Sequence, residues 1–512
     1  MTITSYAAAG FEGRIVHIEV DIRRGIPVVD IVGLPDGAVR EARERIRVAI
    51  RNSGYTFPAD RVLINLAPAG LKKAGASFDL PIAIALLAQS GQIPPTGDLA
   101  VLVVGELELS GRVRPVTGAL SAVASARGEG IDTILVPREN YREARALREG
   151  AVYPVSTLAE GVELLQLLSH GRAPTEAPLP AVEPPRFPAE GDFSDVRGHS
   201  VLKRALEIAA AGGHHVLLFG PPGSGKTMAA RRFPTILPDL TREDALDVTR
   251  IHSIAGMLPP DGGLVSRPPF RMPHHSSSLE GLVGGGRTVR PGEVSLAHRG
   301  VLFLDEAPEF RESLLQSLRE PIEEGRVDIA RAGSSVWFPA EFQLILAANP
   351  CPCGNLGRDD AVCMCARIEI QRYWKRIGGA LLDRVDIRIP CVPASPESII
   401  GPAEESSSAI RGRVEEAIER QRRRLRSLGV SQNARIGAGA LPQLCRLNRE
   451  SEELFTTAIR KLALSSRACH SILKVARTIA DLSGAEAIET DHLLEALQHR
   501  RYGDADFFWD AK

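Results

Sequence analysis

A run of residues near the middle of the chain has the composition of a phosphate-binding loop. It follows the apolar run HHVLLF and matches the pattern G-x-x-x-x-G-K-[ST]: Gly220, Pro221, Pro222, Gly223, Ser224, Gly225, Lys226 and Thr227. In such a loop, backbone N–H groups and a helix N-terminus bind phosphate, and the lysine neutralises the β and γ oxygens. Thr227 is then expected to hold Mg²⁺. The segment predicts ATP and Mg²⁺ as cofactors.

An apolar run that ends in two carboxylates, GVLFLDE, lies further along the chain. If this run is a strand, Asp305 can complete the Mg²⁺ shell and Glu306 can polarise the attacking water. Paired carboxylates also occur at strand ends where no catalysis takes place. Their position downstream of a phosphate-binding loop favours the catalytic interpretation.

Three further polar residues are candidates for the same chemistry. The run FQLILAANP ends in Asn349, which is expected beside the γ-phosphate in P-loop ATPases with an additional strand. Arg384, in LLDRVDI, is a candidate arginine finger or a helix-end salt bridge. The finger role requires a ring, because a monomer cannot place Arg384 in its own site. Arg467, in SSRACHSILKVARTIADL, could fold back onto the γ-phosphate or lie on a solvated helix face.

The segment CPCGNLGRDDAVCMC contains two Cys-x-Cys pairs, formed by Cys351, Cys353, Cys363 and Cys365. Thiolates on a short loop suit tetrahedral Zn²⁺, although a two-residue spacer is more usual than this one-residue spacer. Reduced surface thiols or a redox-labile pair are the alternatives. A bound Zn²⁺ would stabilise the long loop between Asn349 and Arg384.

Four regions are expected to position these residues. Residues 1–170 alternate strand-like and helix-like runs, which is typical of an α/β domain. Residues 171–190 are rich in proline and predict an extended linker. The nucleotide domain follows over residues 191–395, and residues 396–512 have the periodicity of amphipathic helices.

Composition narrows the classes of function. The chain has 512 residues, of which 44% are apolar, and its net charge of -1 gives no overall basic field. Any surface that binds nucleic acid must therefore be local. The N-terminus carries no signal sequence, and the apolar run 80–88 is too short to cross a bilayer. The seven cysteines indicate no secreted disulfide framework. We expect a cytoplasmic protein without membrane contact.

The order of these motifs resembles that of AAA+ ATPases of the Mg-chelatase-like group, in particular the ComM/YifB type. The phrases that carry the resemblance extend through nearly the whole chain: GLPDGAVREARERIRVAI, FDLPIAIALLAQSGQIP, GPPGSGKT, FRMPHHSSSLEGLVGGG, PGEVSLAHRGVLFLDEAPEF, AANPCPCGNLG, LLDRVDI and LKVARTIADL.

The resemblance implies a Lon-protease-like N-terminal domain, an AAA+ core with a helix-2 insert, a helical lid and assembly into a homohexameric ring. It also implies a DNA helicase that promotes branch migration during natural transformation and integrates incoming single strands. DNA, single-stranded or branched, and further copies of the chain are the partners it implies.

The Lon-like domain is expected to lack peptidase activity. The Lon enzyme uses a Ser–Lys dyad, in which the amine activates the hydroxyl. By the resemblance, Leu120 stands at the position of the lysine, and Ser77 falls near the place of the nucleophile. Lys72 or Lys73 could substitute as a base. The favoured interpretation is an inactive scaffold that builds the ring or guides DNA.

Two insertions in the nucleotide domain are candidates for DNA contact. The first, in the place of the helix-2 insert, offers Arg271, His274 and His275 as donors to phosphate. The second, EEGRVDIARAGSSVWFPAEF, predicts a hairpin with Arg326 and Arg331 on its first strand. The histidines could instead form a metal or core site, and the hairpin could be purely structural.

A basic helix offers another surface for phosphate. Residues 411–426 hold seven arginines against three glutamates, and such an excess could follow a phosphate backbone. A solvated lid helix with ion pairs such as Glu416–Arg420 is the alternative.

The sequence thus favours an ATP-driven DNA motor. The first alternative is a chelatase- or chaperone-type ATPase that remodels a protein partner. The second is a scaffold switched by nucleotide without turnover, against which the set Lys226, Asp305, Glu306 and Asn349 argues.

Overall fold

The structure is a computed structural model that describes residues 2–94, 99–147, 150–172, 174, 191–259, 262–286, 288–331, 334–358, 360–402 and 404–500. Most of the predicted linker, residues 171–190, lies outside these ranges.

The N-terminal region is an α/β unit. Its strands are β1 (Thr2–Ala7), β2 (Arg14–Arg23), β3 (Val29–Val32), β4 (Arg61–Ala67), β5 (Ala100–Val103), β6 (Glu106–Leu107), β7 (Val113–Arg114), β8 (Thr133–Pro137) and β9 (Ala151–Val155). Its helices are α1 (Gly37–Asn52), α2 (Asp79–Gln89), α3 (Ala119–Gly128), α4 (Tyr141–Ala144) and α5 (Leu158–Ser169).

A mixed sheet in the order β3-β4-β2-β1-β5-β8-β9 forms the centre of this unit. Helix α1 shows why the helices pack on it. The Asp36 side chain caps the helix by accepting from the Val39 N–H at 2.9 Å. Val39, Ala42, Ile46 and Ile50 recur at helical spacing and are buried in the core.

The central region carries the nucleotide motifs. Its strands are β10 (Val216–Phe219), β11 (Phe270–Arg271), β12 (Gly284–Gly285), β13 (Arg290–Pro291), β14 (Val301–Leu304), β15 (Arg326–Arg331), β16 (Ser334–Pro339), β17 (Gln343–Ala348) and β18 (Ile387–Pro390). Its helices are α6 (Ser200–Gly212), α7 (Lys226–Arg232), α8 (Arg242–Ile254), α9 (Leu279–Val283), α10 (Glu293–Leu296), α11 (Glu312–Ser317), α12 (Arg319–Glu324), α13 (Arg367–Lys375) and α14 (Gly379–Leu382).

A parallel sheet in the order β11-β14-β17-β10-β18 holds this region together. Strands β10, β14 and β17 are buried along their whole length, which explains their continuous apolar sequences. The strand that ends at Asn349 lies between the P-loop strand and the strand that ends at Asp305. The predicted additional-strand arrangement is therefore confirmed, as is the hairpin β15–β16.

The C-terminal region is helical, as predicted: α15 (Pro396–Ile400), α16 (Ser407–Leu425), α17 (Leu441–Leu444), α18 (Arg449–Leu462), α19 (Ser466–Leu482) and α20 (Thr490–Arg500). Helix α19 packs at the amino ends of the parallel strands. His214, just before β10, approaches Thr478 Oγ1 through Nε2 at 2.8 Å, and Ser471 donates to Asp386, just before β18, at 2.5 Å. Helix α19 therefore lies at the end of the sheet opposite the P-loop.

Most arginines of α16 for which the structure gives a partner are paired with carboxylates. Arg411, Arg420 and Arg423 each contact a glutamate one turn away, and Arg424 binds Asp481. The predicted Glu416–Arg420 pair is confirmed. These contacts favour the solvated lid helix over a track for phosphates.

Among the described residues, no helix combines the length and apolar character that a membrane crossing requires.

Candidate nucleotide-binding and hydrolysis site

The P-loop joins the carboxyl end of β10 to the amino end of α7. Gly223 and Gly225 have φ angles of +79° and +78°, in the left-handed region that favours glycine. A Cβ at Gly220 would collide with the carbonyl oxygen of Cys391. The glycines therefore allow both the tight turn and the close approach of β18.

Lys226 lies buried in the concavity of this loop. Its ammonium donates to the carbonyl oxygens of Gly220 at 2.6 Å and Pro221 at 2.9 Å, and lies 3.4 Å from Asn349 Oδ1. Burial lowers the pKa of this lysine. The structure therefore brings Lys226 close to Asn349, the polar residue that follows β17.

The predicted magnesium ligands meet at the same edge of the sheet. Thr227 Oγ1 donates to Asp305 Oδ2 at 2.8 Å. A hydroxyl and a carboxylate at this spacing are the oxygen donors that Mg²⁺ prefers, so the residues present fit the ion. Glu306 is exposed beside them, with φ at +50° and its N–H donating to Asp305 Oδ1 at 3.0 Å. Its carboxylate is available to a water molecule.

The two predicted arginines lie together, away from the P-loop. Arg384 and Arg467 both donate to Glu323 Oε1, Arg467 at 2.8 Å. The hydrogen bond from Arg467 and the charge of Arg384 lower the pKa of Glu323. The Arg384 side chain is only 7% exposed, and burial lowers its pKa.

This arginine pair lies at the amino end of the parallel sheet. Arg384 lies three residues before the start of β18, whose first residue pairs with the first residue of β10. The P-loop follows the last residue of β10, about 10 Å of strand away. The expectation that Arg467 folds back onto the phosphate of its own chain is not met, because α19 packs at the amino ends of the strands.

The cysteine segment forms a cluster directly after Asn349. The Sγ atoms of Cys351, Cys353, Cys363 and Cys365 all lie within 4.8 Å of one another. Sγ–Sγ distances are 3.4, 3.6 and 3.7 Å among the first three. A Zn²⁺ with bonds of about 2.3 Å requires edges of about 3.8 Å, so the residues fit a tetrahedral metal.

Burial raises the pKa of Cys351, Cys363 and Cys365, whereas the surroundings of Cys353 favour a thiolate. A hydrogen bond from the Asn355 N–H lowers the pKa of Cys353 to about 6. A Cβ at Gly354, whose φ is +77°, would lie 2.9 Å from Cγ of Pro222. The cysteine loop therefore rests directly on the phosphate-binding loop.

The residues predicted to contact DNA have mixed surroundings. Arg271 lies on β11 and binds Glu293 in a bidentate ion pair, at 2.6 and 2.8 Å. The rings of His274 and His275 are 4.1 Å apart, and His274 contacts Ser276. Arg271 is thus a sheet residue with a compensated charge, whereas the histidines lie on a loop beyond it.

The hairpin β15–β16 carries the other two arginines predicted to contact DNA. Arg326 is exposed on β15 and pairs with Asp328 at 2.9 Å. Arg331 ends the same strand, and its side chain lies outside the described part of the chain. A Cβ at Gly284 would meet Ile329 Cδ1 at 3.2 Å, so the hairpin of the first insertion packs on this second one.

The structure places Leu120, Lys73 and Ser77, the residues considered for a Ser–Lys dyad, in the described part of the N-terminal unit. Leu120 is buried in α3. Lys73 is also buried, and its ammonium donates to the carbonyl oxygen of Pro68. Burial lowers the pKa of Lys73, but a backbone carbonyl engages its nitrogen. Ser77 contributes a carbonyl acceptor to Gly105.

Sequence reasoning missed two residues at these sites. His199, 9% exposed, has its Nε2 3.0 Å from the position of a Cβ at Gly225, so it borders the P-loop. Glu323 holds both predicted arginines. Neither residue belongs to a spaced motif; only the packing of α6 and α12 brings them to the sites.

Comparison with known proteins agrees with this arrangement. Family models described as magnesium chelatase, subunit ChlI, and subunit ChlI of Mg-chelatase match residues 192–399 and 18–140. The model of the ChlI C-terminal region matches residues 404–500.

Three relatives illustrate the similarity. YifB of Escherichia coli is 42% identical over 498 residues, covering 96% of both chains. The competence protein ComM of Haemophilus influenzae is 38% identical over 503 residues, covering 97% of both. The magnesium-chelatase 67 kDa subunit of Chlorobaculum parvum is 30% identical over 210 residues, covering 40% of this chain and 27% of that subunit. The chain therefore belongs to the Mg-chelatase-like family that includes YifB and ComM, and this membership supports an AAA+-type ATPase.

Proposed function

We propose that the protein is an ATP-hydrolysing motor that works on DNA as a homohexameric ring in the cytoplasm. One observation carries the ring: Lys226, Thr227 and Asp305 meet at one end of the central sheet, while Arg384 and Arg467 share Glu323 at the other. Arginines so placed can act on a nucleotide only across an interface between chains.

Each residue of the P-loop edge has a role in this proposal. ATP with Mg²⁺ supplies the phosphoanhydride that is cleaved. The P-loop amides and Lys226 bind the phosphates, Thr227 and Asp305 hold the cation, and Glu306 accepts a proton from the attacking water. Asn349 orients that water or the γ-phosphate. Arg384, joined by Arg467, stabilises the transition-state charge in the neighbouring chain.

The proposed work is branch migration that integrates incoming single-stranded DNA. Its support is the similarity along nearly the whole chain to a relative named as a competence protein. The two insertions that pack on each other through Gly284 and Ile329 also support it, since His274 and Arg326 are exposed on them. Exposed hydrogen-bond donors of this kind suit contact with phosphates.

Remodelling of a protein partner is the second candidate function. The similarity to a magnesium-chelatase subunit favours it. So do the ion pairs that compensate Arg271 and several arginines of α16, because paired guanidinium groups release few counterions on binding DNA.

We further propose that the cysteine cluster binds Zn²⁺ and that residues 1–170 form a Lon-like scaffold without peptidase activity. Domain limits at residues 170, 190 and 395 belong to the same proposal. Elemental analysis should find about one equivalent of zinc per chain. The zinc should be lost when the four cysteines are replaced by serine. An active protein without metal would contradict the zinc site. Peptide cleavage that requires ATP and disappears in Ser77→Ala would contradict the scaffold.

The experiment that tests the function measures ATP turnover with single-stranded, duplex and branched DNA, together with the mass of the protein with and without ATP. We expect turnover to rise with DNA, most with branched DNA, and a ring to form with ATP. Turnover that ignores every nucleic acid but responds to a protein partner would favour the second candidate. Nucleotide binding without turnover would indicate that the protein is a scaffold switched by nucleotide.

A further inference from the structure

The turn between β1 and β2 of the N-terminal unit contacts the hairpin β15–β16 of the central region. Phe11, 6% exposed, donates its backbone N–H to the carbonyl oxygen of Trp337 at 3.0 Å. The two ring centroids are 5.4 Å apart, with an angle of 49° between the planes. A Cβ at Gly10 would lie 2.9 Å from Cβ of Val336, so the turn fits closely against the hairpin.

Helix α8 holds the same turn from a second element. The guanidinium carbon of Arg250 lies 4.1 Å from the centroid of the Phe11 ring. Nη2 of Arg250 donates to the Phe11 carbonyl oxygen at 3.2 Å. A cation is attracted to the negative face of an aromatic ring, and more strongly when it is shielded from water. Phe11 is therefore fixed through its ring, its N–H and its carbonyl.

Phe11 belongs to an apolar cluster that joins the two insertions. Its buried members are Phe11, Ile251, Ile254, Leu296 and Phe338, and Val289, Ile329 and Trp337 pack at its edge. These residues come from the N-terminal turn, α8, the first insertion and the hairpin. A single residue of the N-terminal unit thus contacts the core that supports both segments proposed to meet DNA.

Additional contacts fix α8 to the N-terminal unit. Ser253 Oγ accepts from the Gly118 N–H at 2.9 Å and donates to the buried carboxylate of Glu143. At the other end of the helix, Arg242 donates to the carbonyl oxygen of Ala146 at 2.7 Å. Because both ends of α8 are held, the Phe11 turn is supported by a rigid frame.

The hairpin depends on such support. Strands β15 and β16 pair only with each other among the described strands, and an isolated two-stranded hairpin is at best marginally stable. Its order therefore comes from packing of Val327 and Ile329 on the core of the central region, and of Ile329, Trp337 and Phe338 in the cluster around Phe11.

We propose that the turn of residues 8–13 is a brace that positions the hairpin β15–β16 and allows it to transmit ATP-driven movement to DNA. Phe11 is its positioning residue and is separate from the P-loop edge where ATP is proposed to bind. The inference rests on the proposed function, since it assumes that the hairpin works on DNA. It gives the N-terminal unit a mechanical role within the motor.

The test compares the full-length Phe11→Ala variant with Phe57→Ala as a matched control. Phe57 is also in the N-terminal unit and lies beneath an arginine, with the Arg47 guanidinium carbon 5.8 Å from its ring centroid. Two quantities are measured: amide hydrogen exchange of residues 326–331 and 334–339, and branched DNA moved per ATP hydrolysed.

In Phe11→Ala we expect hairpin exchange to become about tenfold faster. Basal ATP turnover should stay within about twofold of wild type, while DNA moved per ATP falls about fivefold or more. Phe11→Tyr, which keeps the ring, should have hairpin exchange and DNA movement per ATP close to wild type. Phe57→Ala should leave the same two quantities unchanged.

Unchanged exchange in Phe11→Ala would overturn the brace, and so would faster exchange with normal DNA movement per ATP. A wild-type protein that does not respond to DNA would instead overturn the proposed function and the transmission to DNA. The exchange comparison would still decide whether the turn braces the hairpin, because it requires no DNA.

Discussion

The two ends of the central parallel sheet are built differently. At the carboxyl end, Lys226 contacts Asn349 and Thr227 contacts Asp305 within one chain. At the amino end, Arg384 and Arg467 converge on a single carboxylate, Glu323. The first end has the groups proposed to bind phosphate and Mg²⁺, and the second has two arginines that share one carboxylate. The proposed division of hydrolysis between neighbouring chains rests on this difference.

The largest expected effect separates the two ends directly. Lys226→Ala removes the cation that binds the phosphates, whereas Arg384→Ala removes the cation supplied from the neighbour. Both should reduce ATP turnover by about 1,000-fold or more. Only Lys226→Ala should also abolish ATP binding, measured by calorimetry. Loss of ATP binding in Arg384→Ala would mean that this arginine acts in the ground state.

Glu306→Gln is expected to reduce turnover by about 100-fold or more while ATP still binds, because the amide cannot accept a proton from water. The variant should stay assembled with ATP and remain on DNA, as measured by sedimentation with labelled DNA. Glu309→Gln, with the same chemistry close by, is the control. Normal hydrolysis in Glu306→Gln would show that another residue activates the water.

Glu323→Gln tests how the amino end is organised. Removing the carboxylate leaves two guanidinium groups close together without their shared partner. We expect turnover to fall about tenfold with ATP affinity within about twofold of wild type. The neighbouring Glu324→Gln should behave like wild type. A selective loss of ATP affinity would mean that Glu323 acts on the nucleotide site of its own chain.

The smallest expected effect concerns the cysteine cluster. Because Gly354 lies against Pro222, loss of the metal should weaken ATP binding about threefold to tenfold and lower the unfolding temperature. The variant with serine at positions 351, 353, 363 and 365 would be compared with Cys469→Ser by calorimetry and elemental analysis. Unchanged ATP affinity in a metal-free protein would show that the cluster does not influence ATP binding at the P-loop.

The sequence predicted the carboxyl end better than the amino end. The P-loop and the strands ending at Asp305 and Asn349 are local patterns, and parallel pairing brings their ends together regardless of the rest of the chain. The cysteine cluster was also predicted, since its members are close in sequence.

The arginine end could not be derived in the same way. Arg467 and Glu323 are far apart in the sequence, and no spacing rule joins them. Their contact depends on where α19 packs. The amphipathic pattern of a helix predicts its buried face, but it does not predict against which end of a sheet the helix packs. The brace at Phe11 was missed for the same reason: a single aromatic residue in a turn carries no periodic signal.

The division of hydrolysis between chains is tested most directly by mixing Lys226→Ala and Arg384→Ala proteins in equal amounts and measuring ATP turnover. Each variant alone should be inactive. In random mixed rings, about one quarter of the interfaces would combine an intact Lys226 with an intact Arg384 from the neighbour. We therefore expect turnover to return to about that fraction of wild type. A mixture as inactive as its components, in rings shown by mass to contain both variants, would contradict the account.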